Sequence, residues 1–90
     1  MGLRRYANKR DTNEGGIVSA FEALGCLVYP QDKPCDLLVG CRGVVLLVEV
    51  KGKRGKLTRE QAAFHANWPV HVVRSVDDAI ALVQGTRRAA

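Results

Sequence analysis

Apolar and polar positions alternate along this chain in two rhythms. Between Asn13 and Leu24, the residues Ile17, Val18, Phe21 and Leu24 recur at helical spacing, which predicts a helix with those side chains toward a core. Asp11, Thr12 and Asn13 are candidate caps before it, and Gly25 is placed to stop it. Shorter apolar runs follow. Cys26 to Tyr29 reads as a strand and Pro30 to Pro34 as a loop. Asp36 to Val39 and Val44 to Lys51 read as the arms of a hairpin around Gly40-Cys41-Arg42-Gly43. Val44 to Val50 is apolar except at Glu49, the pattern of a central strand covered on both faces. A second helix is expected from Thr58 to about Asn67, closed by Trp68-Pro69, with Trp68 as a core residue at its end. Val70 to Arg74 is a fourth strand. Ser75 then caps a last helix, with Asp77 and Asp78 in its first turn and Val76, Ala79, Ile80 and Val83 on its apolar side. Residues 85–90 read as a flexible tail. The order αβββαβα predicts an α/β (α+β) domain with a small mixed β-sheet flanked by helices.

The 90 residues suffice for one domain spanning the chain, with residues 1–10 as a basic arm. The longest apolar run, Val44 to Val48, has five residues, far short of the ~18 that read as a membrane span. The basic start lacks the apolar stretch of a secretory signal, so a cytoplasmic location is expected. Lysine and arginine outnumber acids 14 to 9, a net charge of +5 that points to a polyanionic partner. Cys26, Cys35 and Cys41 are odd in number and form no CxxC pair, which argues against structural zinc. They are expected as buried thiols on or near strands.

Charge on the predicted hairpin is the most informative feature. With a two-residue loop, Arg42-Gly43, the carboxylates of Asp36 and Glu49 face each other directly across the strands. A four-residue loop sets them on a diagonal of one face, and a three-residue loop puts them on opposite faces. Facing like charges destabilise a sheet, and buried acids need compensation. Lys51 leaves the same side as Glu49, two residues on. A divalent cation bridging both acids would compensate further, and hard oxygen ligands suit Mg²⁺ or Mn²⁺. Acid, acid, lysine and metal make a phosphodiester-hydrolysis set: a Lewis acid that activates water, with a lysine offsetting transition-state charge. The loop after Glu49 adds Lys53, Arg54, Lys56 and Arg59 with no acid among them, and the arm adds Arg4, Arg5, Lys9 and Arg10. These cations are the candidate DNA contacts.

Pro34-Cys35-Asp36 followed by Glu49-Val50-Lys51 resembles the PD…(D/E)xK signature of restriction-endonuclease-like nucleases. EVKGKRGKLTREQ (residues 49–61), RDTNEGGIV near the start and VHVVRSVDDAIALV near the end resemble the virus-type replication-repair nuclease (VRR-Nuc) family, over residues 10–84. Cys35 stands where that family usually has proline. The resemblance implies a restriction-endonuclease-like fold with the site on the hairpin. It implies that Asp36, Glu49 and the main-chain carbonyl of Val50 bind Mg²⁺ or Mn²⁺, and that Lys51 is catalytic. It also implies a role near the metal for Glu14, through water or a second ion, and a positioning role for Gln61. Both also fit helix capping, through Asp11-x-x-Glu14 and Thr58-x-x-Gln61. Glu14 shares a helix face with Val18 and Phe21, which directs it toward the sheet. His65 and His71 are expected in ordinary packing or surface roles.

The implied activity is metal-dependent, structure-selective DNA endonuclease action, with resolution of four-way junctions by a homodimer as the leading expectation. A junction has two-fold symmetry and needs two cuts, which a two-fold dimer of single-site subunits provides. Flap, nick or general duplex cleavage is the alternative. A non-catalytic DNA-binding module and a protein-interaction domain are the readings from other classes. No organic cofactor and no membrane partner are expected.

Overall fold

A computed structural model describes residues 11–89, so the expected arm with Arg4, Arg5, Lys9 and Arg10 lies outside the described residues. The elements are α1 (Glu14–Ala23), β1 (Leu27–Pro30), β2 (Leu37–Cys41), β3 (Val44–Val50), α2 (Arg59–Asn67), β4 (Val70–Val73) and α3 (Val76–Ala89). This is the expected αβββαβα order. The strands form one sheet in the order β1-β2-β3-β4. The first two pairings are antiparallel, and β4 runs parallel to β3. A parallel neighbour requires a crossover, which α2 supplies. The molecule is thus a small mixed α+β domain.

The β2–β3 hairpin turns on two residues, because Cys41 pairs with Val44. Arg42 (φ 52°) and Gly43 (φ 83°) both occupy the left-handed region that such tight turns demand. Glycine accepts this readily and arginine does not. The pairing fixes which residues share a face. Leu37, Val39 and Cys41 of β2, Leu46, Val48 and Val50 of β3, and Val73 of β4 form the core with Ile17 and Phe21 of α1 and Ala79 and Val83 of α3. Each large side chain buried here contributes about 1.5–3 kcal/mol before entropy is counted. Gly25 ends the α1 turn with φ 88°, as expected.

Several expectations need correction. Cys26 and Cys41 are joined in a disulfide across β1 and β2, and Cys35 alone keeps a buried thiol. The two cysteines continue the Leu27–Gly40 pairing by one step, and that register brings them together. Denatured but unreduced protein should therefore show one titratable thiol with a thiol reagent, and three after reduction. Three thiols without reductant would remove the cross-link. Among the described residues no helix is long and apolar enough to cross a membrane.

The expected tail is instead helical as far as Ala89, where α3 ends. One exposed glycine, Gly85, costs about 1 kcal/mol but does not stop a helix already propagating. Trp68 is 55% exposed, not core. The chain leaves α2 in an extended conformation there, and the indole stacks on Phe64 at 5.4 Å. Val44 and Val45 are exposed, so β3 is covered on both faces only toward its C-terminal end. Val76 is also exposed, while Ala79 and Val83 carry the apolar side of α3.

Candidate active site

The face of the sheet opposite the core carries the chemistry. Leu47 and Glu49 of β3 alternate with the core residues Val48 and Val50, so the pleat sends Glu49 to the other side. Asp36 immediately precedes β2. The β2–β3 register ends at Leu37 opposite Val48, and one further step sets Asp36 against Glu49. The two-residue alternative is the one adopted. Asp36 Oδ2 accepts a hydrogen bond from the Val50 N–H at 2.8 Å, fastening the loop to the strand. Cys35 anchors the same loop from below. Its sulfur donates to the Leu37 carbonyl at 3.5 Å and receives the Gln31 amide at 3.4 Å, and burial pushes the thiol pKa up. An apolar buried side chain thus fills the place next to the aspartate.

Gln61 closes a helix cap and also bonds an acid of the sheet. Thr58 accepts from the Gln61 N–H at 3.1 Å, and Gln61 Oε1 accepts from the Thr58 N–H at 2.9 Å, closing the capping box. The opposite end of the same amide, Nε2, donates to Glu49 Oε2 at 3.0 Å. One side chain therefore starts α2 and grips the acid on β3. Gln61→Ala removes both contacts. Its melting temperature should fall by about 4–8 °C, the effect of losing roughly 1 kcal/mol of cap in a domain this small. An unchanged thermal melt would show that the cap contributes nothing.

Glu49 is 2% exposed, and its Oε1 has no hydrogen-bond partner. Burial raises its pKa to about 8, helped by hydrogen bonding with Asp36 and by the charges of Asp36 and Asp11, against the opposing charge of Lys51. His65 lies one helical turn beyond Gln61, with Nε2 3.9 Å from Glu49 Oε1 and likewise unbonded. Burial, and then the charge of Lys51, lower the His65 pKa, so the ring stays neutral near pH 7. The expected packing role of His65 thus has a specific neighbour. Its signal was available in the spacing from Gln61.

A cavity of about 590 Å³ opens over these groups. Asp36, Glu49, Val50, Lys51 and Gln61 line it, with Asp11, Asp32, Lys33, Glu60 and Phe64 among its other walls. The structure thus brings together four of the five expected catalytic side chains. Glu14 is buried in the first turn of α1, as its helix face predicted, but is not part of this wall. The expected Asp11–Glu14 capping box is absent. Asn13 occupies the cap position without a side-chain capping bond; its Nδ2 donates instead to the carbonyls of Lys51 (3.1 Å) and Arg74 (3.0 Å). Asp11, read in the sequence only as a cap, lines the cavity instead. Across the cavity mouth Lys33 and Glu60 form an exposed ion pair at 3.3 Å, which contributes at most about 1 kcal/mol. The basic loop side chains Lys53, Arg54 and Lys56, and Arg59 at the start of α2, are all exposed around this end of the molecule.

Among the described residues, no group of three or more His, Cys, Asp and Glu side chains is arranged to hold a metal ion. The facing donors are the carboxylates of Asp36 and Glu49, with the partnerless Glu49 Oε1 between burial and an open cavity. Such a set fits a hard cation that keeps several waters, as Mg²⁺ does, and does not fit a closed all-protein cage. A proton competes for the same oxygen. Mn²⁺ affinity should therefore strengthen as pH rises from 6 toward 8 and level off above it, because Glu49 must lose its proton to bind. Titration calorimetry at three pH values checks this; affinity independent of pH would place the cation elsewhere.

No family model matches this sequence, and no curated protein and no solved structure matches it either.

Proposed function

We propose that the domain is a metal-dependent endonuclease that hydrolyses phosphodiester bonds in DNA, with branched DNA as its substrate. The observation that carries this reading is the convergence of Asp36, Glu49, Lys51 and Gln61 on one cavity beside an exposed basic loop. A bound Mg²⁺ or Mn²⁺ would polarise the phosphoryl oxygen and lower the pKa of a coordinated water. Asp36 and Glu49 would hold that ion, with the Val50 carbonyl completing the protein donors. Gln61 keeps Glu49 oriented from α2. Lys51, in the cavity wall, would offset charge growing on the scissile phosphate. The loop cations would hold the flanking backbone, and a net charge of +5 favours the encounter. A restriction-endonuclease-like fold is part of the same proposal, supported by the hairpin site and the mixed sheet.

The assembly proposed is a homodimer. Leu27 (80% exposed), Tyr29 (66%) and Val45 (69%) share the open side of the sheet, an apolar surface that a second copy would cover. Cleavage of end-labelled four-way junction, flap and linear duplex DNA in Mg²⁺ and Mn²⁺ tests the whole reading. Paired symmetric nicks in the junction, abolished by chelation, are expected. Preferential flap or duplex cutting would keep the nuclease and discard junction resolution. Salt-sensitive binding with no cutting under any metal would favour a non-catalytic DNA-binding module.

A further inference from the structure

The basic loop between β3 and α2 is folded around a residue from elsewhere in the chain. Arg74, just beyond β4, donates through Nη1 to the carbonyls of Gly55 at 2.7 Å and Gly52 at 2.8 Å, and lies 3.5 Å from that of Lys53. Gly55 N–H also bonds the Gly52 carbonyl at 3.1 Å, closing a tight turn. Arg74 is itself fixed from two sides. Its N–H donates to Asp78 Oδ2 at 2.9 Å, and its carbonyl accepts the Asn13 amide that also holds Lys51. The guanidinium gathers the negative ends of the loop peptides on the inside. Lys53, Arg54 and Lys56 are left exposed on the outside. A loop of this composition would otherwise be driven open by repulsion between its own cations and by the freedom of its glycines.

We propose that Arg74 is a positioning residue for nucleic acid: it shapes the loop so that Lys53, Arg54 and Lys56 meet successive backbone phosphates, and it does so without contacting the nucleic acid itself. This rests on the DNA-binding reading above. A simple surface arginine would act through its own charge, whereas this one has turned its Nη1 to carbonyls of its own chain.

The test is a double-mutant cycle read by the affinity for a fluorescent duplex DNA at two salt concentrations. One arm is Arg74→Met, the other the triple change Lys53→Ala, Arg54→Ala, Lys56→Ala, and the third combines them. Arg74→Met is expected to weaken binding about tenfold in the native background and less than twofold where the loop is already neutral. Arg74→Lys keeps the charge but not the planar fork, so it should stay close to Arg74→Met; it also carries the test should the methionine variant fail to fold by circular dichroism. An equal loss in both backgrounds, or full rescue by lysine, would mean that Arg74 acts by its own charge and would overturn the proposal. Unchanged affinity in Arg74→Met, with wild-type binding intact, would overturn it as well. Absence of salt-sensitive binding by the wild-type chain would instead remove the DNA-binding reading itself, and this proposal with it.

Discussion

Lys51→Ala should reduce DNA cleavage by about 10²–10³-fold while leaving DNA affinity within a few-fold of wild type. Lys51 follows β3, leaves the strand on the side of Glu49 and lines the cavity. Its charge is felt by both Glu49 and His65, which places the ammonium among the groups that would surround a scissile phosphate. Three loop cations, Lys53, Arg54 and Lys56, and Arg59 at the start of α2 remain to hold the backbone, so the loss should fall on turnover. The backbone at Lys51 is pinned independently of its side chain: its N–H bonds the Val73 carbonyl at 3.1 Å and its carbonyl takes the Asn13 amide. The variant should therefore fold. Single-turnover cleavage of a labelled junction, with binding measured in parallel, checks this. A variant that cuts within threefold of wild type would remove the lysine from the chemistry.

Glu49→Gln should do two opposite things: abolish measurable Mn²⁺ binding and raise the melting temperature of the metal-free protein. The carboxyl has a pKa near 8 in the fold against an ordinary 4.5. Below pH 4.5 it is neutral folded or unfolded and costs nothing. Between 4.5 and 8 unfolding releases a proton, so stability falls as pH rises, and above 8 the penalty is constant. That penalty is on the order of a few kcal/mol. The glutamine amide removes it, offers its oxygen to Gln61 Nε2 and can donate to Asp36. A gain on the order of 10 °C is expected at pH 8 in EDTA, shrinking toward zero near pH 4.5. EDTA matters, because a bound cation would stabilise the wild type by mass action. A variant less stable than wild type at pH 8 would show that the buried acid is compensated in the free protein.

The pair of acids could be found in the sequence because the hairpin offered few registers and the strands were short. The choice among those registers could not, since it turned on Arg42 accepting a left-handed conformation that nothing in its side chain favours. The Thr58–Gln61 box was legible for the same local reason. The second bond from Gln61 was not, because it joins residues 12 apart in sequence through the crossover. Asn13 shows this limit most clearly. By type and place it is a helix cap, yet its partners lie 38 and 61 residues away, and only the assembled strand ends supply them. The Cys26–Cys41 bond depended on the register of β1 against β2, which the irregular stretch from Gln31 to Asp36 conceals. Trp68 misled because size and apolarity suggest burial, while the extended chain at the end of α2 turned the ring outward.

Helix α2 holds the gripping side chain, yet it buries none of its nine residues completely. Its attachment therefore rests on the half-buried Gln61, Phe64 and His65, and its opening free energy should lie well below that of the sheet. Each such opening would release Glu49 from Gln61 and break the start of the helix in the same event. The assembled site is thus a property of a separately fraying unit, and its occupancy has a ceiling set by how often that unit is closed. A cation that favours the ordered Glu49 would raise this ceiling. Amide hydrogen exchange over residues 59–67 should slow on adding Mn²⁺, while β2 and β3 keep their rates.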